Sequence, residues 1–406
     1  MALAGEPTPW AAALEAAWGQ GRIVALAGPG EQRRLAQALQ QDGLAAALGR
    51  ALDPGRPAVL LGSGGSSGAR RWCLQPLAHL QASAAASSRW LAGLGLDPAA
   101  CVHLNPLPLH HVSGLLPLLR ARQSDAQLRW LAPALLRDPA ALVQAIPLSP
   151  DRPAVLSLVP TQLGRLLAEP AGVAWLRGCA VIWVGGAALP VELAAKARAE
   201  GLPLAPCYGA TETAAMVCAL PPQRFLAGEQ GCGPPLDDVA LQVAASDGAV
   251  EVRSERLALG WLEAGGLRPL PRSPEGWWRS GDTGRLGTAG LELLGRLDGA
   301  ISSGGETVFP EQLEARLQAE AAARGLPLAA VLLLGVDDAL WGQRLVALVR
   351  VHTGADAGAL IGALQQLVAG WPAAERPRSW WPCPELAPSE AGKWQRGRWR
   401  EWLRER

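Results

Sequence analysis

The stretch that most constrains the fold of this chain is residues 276–314, GWWRSGDTGRLGTAGLELLGRLDGAISSGGETVFPEQLE. Its Gly-Asp pair at 281–282 is typical of a turn, and the alternating apolar positions at 291–293 are typical of a short strand. A Gly-rich turn at 302–305 precedes a segment, 310–317, that has helical spacing and begins with proline. The stretch therefore predicts strand, turn, strand, Gly-rich turn and helix. Residue by residue, an ordinary β-hairpin that leads into a helix is the simpler interpretation.

Three other segments have the apolar pattern of a buried strand that ends at small or polar residues. They are AVLL at 58–61, AVLSL at 154–158 and VIWV at 181–184. Open α/β sheets bind ligands at the carboxyl ends of such strands, so the residues that follow them are candidates for a site. In contrast, residues 8–50 have helical periodicity between Gly turns, and the Pro-rich residues 371–388 are predicted to form a surface connection.

The loop GSGGSSG at 62–68 carries backbone amides and hydroxyl groups that can cradle phosphate oxygens. A Gly/Ser run by itself is equally typical of a flexible linker. The loop is not a Walker loop, because no Gly-Lys-Ser/Thr closes it, and it lacks the glycine spacing of the dinucleotide-binding fingerprint. Two arginines, Arg70 and Arg71, follow it.

The length and net charge of the chain limit the classes of protein to which it can belong. Because 406 residues exceed the size at which one core usually suffices, we expect two domains. A net charge of +1 gives no electrostatic reason to expect nucleic acid or an anionic membrane as a partner. No uncharged apolar stretch reaches the ~20 residues of a spanning helix, and no signal peptide is evident. With seven scattered cysteines that are typical of reduced thiols, the chain is expected to be cytoplasmic.

Two residue types are rare enough to be informative. Of 37 basic side chains only Lys196 and Lys393 are lysine, and Tyr208 is the only tyrosine. Lysine and arginine are not interchangeable where a site needs a compact charge. A lysine at 393 in so arginine-rich a chain therefore favours a specific role, and the alternative is a solvated lysine without one.

Taken in order, the segments SGGSSG, LNPLPLHHVSGL, VGGAALP, CYGATET, the stretch 276–314 and AGKWQR resemble the motifs of the acyl-adenylate-forming enzymes. This superfamily comprises acyl-CoA ligases, luciferases and peptide-synthetase adenylation domains. The resemblance implies an α/β fold in which a large N-terminal domain, residues 1–297, has mixed β-sheets packed by helices. It also implies a small mobile α+β domain, residues 298–406, that rotates about a hinge at Asp298.

For the nucleotide, the resemblance implies that Asp282 and Arg296 bind the ribose and that Tyr208 stacks against adenine. Arg71 matches the position of the lysine that follows the phosphate loop in the family. The complete set of nucleotide-binding residues implied by the resemblance is Ser63, Gly64, Gly65, Ser66, Ser67, Gly68, Arg71, Gly185, Gly186, Ala187, Tyr208, Gly209, Asp282 and Arg296.

Three residues are implied in catalysis. Thr211 reaches phosphate, and Glu212 holds Mg²⁺ as the one expected metal ligand. Lys393 bridges the substrate carboxylate and the α-phosphate in the first step, and it leaves the site when the small domain rotates. Without the resemblance, Thr211 and Glu212 would be interpreted as a helix cap.

His111 and Gln162 match positions beside the acyl pocket of the family, and Gly304 and Gly305 match the loop that lines its coenzyme A channel. The simpler interpretation of a single histidine is a core or helix-cap residue.

The resemblance implies an enzyme that uses ATP, Mg²⁺ and coenzyme A. Its partners are a small carboxylic acid, ATP and coenzyme A, without nucleic acid or membrane insertion, and it is expected to be a monomer or a homodimer. The segments LPLHHVSGL, SLVPTQL and VGGAALP favour an AMP-forming carboxylate–CoA ligase that acts on an aromatic or a fatty acid. The alternative is a non-catalytic nucleotide-binding relative, because arginines replace the Pro-Lys pair that follows the family's phosphate loop.

Overall fold

The computed structural model describes residues 7–28, 31–40, 48, 52, 55–63, 71–263, 266–388 and 394–406. The candidate residues Gly64, Gly65, Ser66, Ser67, Gly68 and Lys393 therefore lie outside the described residues, and only the backbone of Asp298 is described. Within these ranges the strands form four sheets, three of them before residue 297 and the fourth after residue 300.

The strands follow one another along the whole described chain. In order they are β1 (Ile23–Leu26), β2 (Ala58–Ser63), β3 (Arg71–Pro76), β4 (Val102–Asn105), β5 (Gln127–Trp130), β6 (Ala154–Leu158), β7 (Cys179–Val184), β8 (Leu204–Ala210), β9 (Ala215–Ala219), β10 (Ala240–Val243), β11 (Ala249–Arg253), β12 (Gly260–Glu263), β13 (Gly266–Pro269), β14 (Trp278–Gly287), β15 (Gly290–Arg296), β16 (Ile301–Ser303), β17 (Glu306–Val308), β18 (Leu328–Asp338), β19 (Gly342–Val351) and β20 (Ser379–Pro382).

The helices are concentrated between the strands of the largest sheet and after the third sheet. In order they are α1 (Pro7–Gly19), α2 (Gln32–Leu39), α3 (Leu77–Gly93), α4 (Val112–Ser124), α5 (Pro139–Ala145), α6 (Pro160–Leu167), α7 (Pro170–Arg177), α8 (Val191–Ala199), α9 (Pro222–Leu226), α10 (Pro310–Ala323), α11 (Ala357–Leu367) and α12 (Arg396–Arg404). None of the helices in the described part of the chain has the length and apolar character needed to cross a bilayer.

The largest sheet has the order β5-β4-β6-β7-β8-β9, with β4 to β8 parallel and β9 antiparallel to β8. Helices cover both of its faces, since Leu156 and Ile182 pack with α6, α7 and α8, and Trp183 packs with Ala86 of α3. Burial on both faces explains why β6 and β7 are nearly continuous apolar runs. Because the carboxyl ends of parallel strands meet at one edge, the residues that follow β4, β6, β7 and β8 lie along that edge.

A second sheet has the order β1-β2-β3-β12-β13, and β1 is parallel to β2. The prediction of helical structure throughout residues 8–50 is wrong, because strand β1 lies between α1 and α2. The four residues Ile23–Leu26 are too short to show a period of their own. Their strand conformation depends on backbone hydrogen bonds to β2 and on burial of Val24 and Leu26 beside Leu14.

The third sheet, β10-β11-β14-β15, contains the first half of the stretch 276–314. Residues 281–282 lie inside β14, so the prediction of a turn there is wrong. Asp282 pairs with Arg296 of β15, and a Cβ at Gly281 would lie 2.6 Å from Nη2 of Arg296. The glycine therefore leaves room for the end of a neighbouring side chain and does not form a turn.

The fourth sheet has the order β17-β16-β19-β18, and β20 pairs parallel with β19. Helices α10 and α11 cover one face, and Trp399 of α12 packs on the other. The prediction of a surface connection at 371–388 is wrong, because this segment contains β20 and buries Trp371 and Cys383. Proline is tolerated at the end of an edge strand, which is where Pro382 lies. The predicted α/β class with mixed sheets packed by helices is confirmed.

Candidate active site

The carboxylate of Asp282 connects two sheets at the carboxyl edge of the largest sheet. Its Oδ1 accepts a hydrogen bond from Nη1 of Arg296 at 3.2 Å, and its Oδ2 accepts one from the hydroxyl of Tyr208 at 2.7 Å. Arg296 is its register partner on β15, and Tyr208 lies on β8, so the contact joins residues from distant parts of the chain. The structure thus brings together the three side chains that the sequence assigns to the nucleoside.

Tyr208 is almost completely buried, with 8% of its surface exposed. Burial, and then the negative charge of Asp282, raises the pKa of its hydroxyl well above the ordinary value. The phenol therefore stays protonated and donates to Asp282. That Tyr208 stacks against adenine stays a prediction.

The backbone after Tyr208 makes a tight turn from β8 into β9. A Cβ at Gly209 would lie 2.0 Å from the carbonyl oxygen of Ala215, so only glycine fits there. Ala214 and Ala215 have left-handed φ values of 53° and 77°, which are uncommon for residues other than glycine. The hydroxyl of Thr213 accepts from the amide of Ala210 at 2.9 Å, which closes the turn. Backbone strain of this kind persists only where surrounding contacts hold it.

Glu212 lies in this turn and is oriented by a tryptophan. Oε1 of Glu212 accepts a hydrogen bond from Nε1 of Trp261 at 2.8 Å, and Arg71 lies over the Trp261 ring at 5.2 Å from the guanidinium carbon to the ring centroid. Trp261 belongs to β12, which pairs with β3, the strand that follows the predicted phosphate loop in the sequence. A second contact fixes the neighbouring backbone, since Nε2 of Gln75 donates to the carbonyl of Thr211 at 2.7 Å. Ser63 is buried at the end of β2.

Gly185, Gly186 and Ala187 follow β7 directly, beside β8. A Cβ at Gly185 would lie 2.9 Å from Sγ of Cys207, and Gly186 has a left-handed φ of 80°. Both glycines are therefore required by the local geometry. Their place at the carboxyl edge, next to the strand that carries Tyr208, fits the predicted binding of the nucleotide base.

The two candidate acid-binding residues lie at helix starts along the same edge. His111 immediately precedes α4, and the rings of His110 and His111 have centroids 4.4 Å apart. Oε1 of Gln162 accepts from the amide of Val159 at 3.1 Å and so caps α6. Gln162 therefore has a structural role that the sequence interpretation did not include, and the binding of an acid by either residue stays a prediction.

Asp298 lies in the 3₁₀ turn Leu297–Gly299, between the third and fourth sheets. Gly304 and Gly305 form the tip of the hairpin between β16 and β17, with left-handed φ values of 60° and 84°. A Cβ at Gly304 would lie 2.5 Å from the ring of Trp341. The roles of these residues in domain rotation and in the coenzyme A channel stay predictions.

Sequence reasoning missed two residues that hold the site together. One is Trp261, which orients Glu212. The other is Arg256, which is 1% exposed, pairs with Asp238 and donates to the carbonyl of Met216 at 2.9 Å. Neither lies in a recognisable motif, and the only available signal was that a buried arginine or indole N–H requires a partner.

The sequence profile of the family described as AMP-binding enzyme matches residues 6–256. The chain belongs to the AMP-binding enzyme family. The resemblance inferred from the motifs is thereby confirmed.

Among curated relatives, the chain is 34% identical over 246 residues to the 2-succinylbenzoate–CoA ligase of Salmonella typhimurium. This alignment covers 60% of this chain and 48% of that protein. It is 31% identical over 303 residues to the probable 2-succinylbenzoate–CoA ligase of Mycobacterium tuberculosis. That alignment covers 73% of this chain and 72% of the relative. The chain thus spans about half the length of the Salmonella relative and nearly three quarters of the mycobacterial one.

Solved structures agree in fold. The E. coli MenE structure with a bound m phenylether-linked analogue of OSB-AMS has a TM-score of 0.62 and 29% identity, and the match covers 86% of this chain and 69% of that one. The o-succinylbenzoate CoA synthetase (MenE) of Bacillus subtilis, in complex with the acyl-adenylate intermediate OSB-AMP, has a TM-score of 0.69 at 22% identity, with 84% and 68% covered. The second match shows the shared fold alone.

Proposed function

We propose that this chain is an ATP-dependent, AMP-forming carboxylate–CoA ligase whose acid is 2-succinylbenzoate, and that it acts in the cytoplasm in menaquinone or phylloquinone biosynthesis. The observation that carries the proposal is the convergence of Tyr208 and Arg296 on Asp282 at the carboxyl edge of the sheet. The relatives reported above support the choice of acid, because the two that have 2-succinylbenzoate in their names match 60% and 73% of the chain.

The reaction has two steps. A carboxylate oxygen of the acid attacks the α-phosphorus of ATP, and pyrophosphate leaves. The thiol of coenzyme A then attacks the carbonyl carbon of the acyl-adenylate, AMP leaves with the bonding electron pair, and the thiol proton is released. Because both steps redistribute negative charge around phosphorus or the acyl oxygen, the protein contributes mainly by positioning and electrostatic stabilisation.

In this proposal Asp282 accepts hydrogen bonds from the ribose hydroxyls, and Arg296 and Tyr208 hold its carboxylate in place. Each carboxylate oxygen has two lone pairs, so the two contacts already present leave acceptor capacity on both oxygens. The loop that begins at Ser63, together with Arg71 and Thr211, binds the phosphates. An arginine suits this role because its planar guanidinium can contact two phosphate oxygens at once.

The site fits Mg²⁺ bound mainly through substrate. Among the described residues no group of three His, Cys, Asp or Glu side chains is placed to hold a metal ion. Mg²⁺ is commonly held by one or two carboxylates plus substrate phosphates, and Glu212 offers a carboxylate that Trp261 orients. When bound, the ion neutralises phosphate charge. Glu212 is therefore the proposed ligand.

We further propose that residues 1–297 and 298–406 are two domains and that the smaller one carries Lys393 to the α-phosphate. The division between the third and fourth sheets at the turn Leu297–Gly299 supports this boundary. After rotation about Asp298, the Gly304–Gly305 hairpin would line the coenzyme A channel, where side chains would obstruct. His111 and Gln162 would line the acid pocket.

The experiment is Mg²⁺-dependent ATP–pyrophosphate exchange with 2-succinylbenzoate, other aryl acids and fatty acids. We expect the highest exchange rate with 2-succinylbenzoate and a stoichiometric thioester when coenzyme A is added. Glu212→Gln should weaken the dependence on Mg²⁺ because it removes the anionic ligand. Faster exchange with another acid would identify a different acyl-CoA ligase. If none of the acids supports exchange, the chain is better explained as a non-catalytic nucleotide-binding relative. The replacement of the loop lysine by Arg71 would then account for the lost activity.

A further inference from the structure

The indole ring of Trp261 contacts the two charged side chains that the proposed function assigns to Mg²⁺ and to phosphate. Its Nε1 donates a hydrogen bond to Oε1 of Glu212 at 2.8 Å, and its ring centroid lies 5.2 Å from the guanidinium carbon of Arg71. Arg268, its register partner on β13, also lies 5.1 Å from the ring, but it is half exposed and pairs with Glu263. Because Trp261 is buried, its ring is a fixed support for Arg71 and Glu212.

The backbone that carries Glu212 is held without the help of this indole. The amide of Ala258 donates to the carbonyl of Glu212 at 2.8 Å, and Nε2 of Gln75 donates to the carbonyl of Thr211 at 2.7 Å. Loss of the Trp261 N–H would therefore release the side chain of Glu212 and leave its backbone in place. This arrangement allows a positioning role of Trp261 to be separated from a structural one.

An indole orients a carboxylate without cancelling its charge. It has one N–H donor, no acceptor and no charge of its own, whereas a lysine or arginine in its place would form an ion pair. In the part of the chain that the structure describes, Oε2 of Glu212 makes no hydrogen bond or ion pair. One oxygen is thus fixed by Trp261, and the other can bind a cation with the negative charge intact.

The face of the ring suits an arginine in particular. A planar guanidinium stacks on an aromatic ring, whereas a lysine ammonium is a compact point charge. Arg71 matches the position at which the family has lysine, so Trp261 gives this arginine a support that its shape can use. A phenyl ring would offer a face to Arg71 but no N–H to Glu212. Substitution by phenylalanine therefore removes one of the two contacts and keeps the other.

We propose that Trp261 is a positioning residue for the binding of ATP with Mg²⁺: its N–H sets the orientation of the Glu212 carboxylate, and its face holds Arg71 alongside. The inference rests on the proposed function, in which Glu212 binds Mg²⁺ and Arg71 contacts phosphate. Ordering a free side chain at the moment of binding costs affinity, and a side chain that is held beforehand avoids that cost. The contribution of the N–H should appear only when the ion is present, because the N–H acts on Glu212 alone.

The test is calorimetric titration of the full 406-residue chain with ATP, once with Mg²⁺ and once with a chelator. The quantity compared is the ratio of the Kd for ATP without Mg²⁺ to the Kd with Mg²⁺. For Trp261→Phe we expect this ratio to fall roughly three- to tenfold, the scale of ordering one freed side chain. The Kd without Mg²⁺ should stay within about twofold of the wild-type value, because the phenyl ring still supports Arg71.

A double variant shows whether Trp261 acts through Glu212. Glu212→Gln should lower the same ratio at least as much as Trp261→Phe does. Adding Trp261→Phe to Glu212→Gln should lower the ratio no further, because positioning matters only while the carboxylate is present. The matched control is Trp402→Phe in α12, which likewise removes an indole N–H that donates to a carboxylate, that of Glu385. The ratio for this control should equal that of wild type.

A measurement on the indole protons needs no substitution at Trp261. In protein labelled with ¹⁵N-tryptophan, Glu212→Gln should move one indole N–H resonance upfield, because a neutral amide oxygen accepts a weaker hydrogen bond than a carboxylate does. Addition of ATP with Mg²⁺ to wild type should move that same resonance.

Three results would overturn the inference: an unchanged ratio in Trp261→Phe, a further fall of the ratio in the double variant, or no indole resonance that responds both to Glu212→Gln and to ATP with Mg²⁺. If instead Glu212→Gln keeps the wild-type ratio, or wild type binds no ATP, it is the proposed function that fails, so the two failures are distinguished.

Discussion

His103 lies on β4 with 2% of its surface exposed. Burial, and then the charge of Arg120, lowers the pKa of this histidine to about 3. Arg120 is also buried, and its guanidinium carbon lies 4.3 Å from the ring centroid of Trp183. A second positive charge at His103 would therefore be unfavourable, and the imidazole is neutral in the folded protein throughout the physiological range.

This shift predicts a loss of stability on acidification. Above pH 6.5 both folded and unfolded states have a neutral imidazole, but below it only the unfolded chain binds the proton until about pH 3. The free energy of unfolding should therefore fall by up to about 1.4 kcal/mol for each pH unit below 6.5. Urea unfolding at pH 7, 6 and 5 should show a shallower decline for His103→Gln than for wild type. The exposed His352→Gln serves as control, and equal slopes for all three proteins would contradict the assignment.

Residues that lie inside contiguous motifs could be predicted from the sequence, and their mutual contacts could not. Tyr208, Asp282 and Arg296 were each assigned to the nucleoside, but the hydrogen bond between the first two joins positions 74 residues apart. Trp261 reaches Glu212 across 49 residues, and Glu311 reaches Arg396 at the far end of the chain. Such contacts depend on how strands are ordered in sheets, which local spacing does not encode.

At the scale of the element, the turn from β8 into β9 depends on a glycine that has no room for a side chain. We predict that Gly209→Ala lowers the free energy of unfolding by about 1–3 kcal/mol, as in other overpacked sites, and raises KM for ATP. The clash is with backbone atoms, at 2.0 Å from the Ala215 oxygen and 2.7 Å from the Met216 Cα, so no side chain can move aside.

The matched control for this turn is Gly164→Ala inside α6. Its Cβ would meet only the Leu193 side chain, at an ordinary 3.8 Å, and alanine favours a helix interior. This variant should be neutral or more stable in chemical denaturation with unchanged kinetics. If Gly209→Ala behaves in the same way, the turn is more adaptable than its geometry indicates.

Elements with a strong period of their own were predicted, whereas those that depend on partners were not. Strands β2, β6, β7 and β15 and the proline-initiated helix α10 match their apolar patterns. The strands β1 and β20 are four residues each and become strands by parallel pairing with β2 and β19. In β14 the Gly-Asp pair suggested a turn because glycine is ambiguous without knowledge of what approaches it.

At the scale of the whole molecule, the sheets divide where the sequence predicts a hinge, and this leads to a prediction for the two proposed half-reactions. Lys393→Ala should reduce adenylate formation by ~10²-fold or more, on the scale of removing a main electrostatic stabiliser, while thioester formation from pre-made adenylate is nearly unchanged. Lys196→Ala, the other lysine of the chain and exposed on α8, is the control. Equal loss of both half-reactions in a folded Lys393 variant would refute rotation of a lysine-bearing domain.

The hydrogen bond from Tyr208 to Asp282 also makes the proposed nucleotide site separately observable. The chain has 17 tryptophans, whose emission averages over many environments, but it has a single tyrosine. Biosynthetic replacement of tyrosine by a fluorinated analogue would therefore introduce one fluorine nucleus, in a ring whose hydroxyl contacts the proposed ribose-binding carboxylate. Its resonance reports on that one place in a 406-residue protein without any assignment, and it can be followed through each step of catalysis.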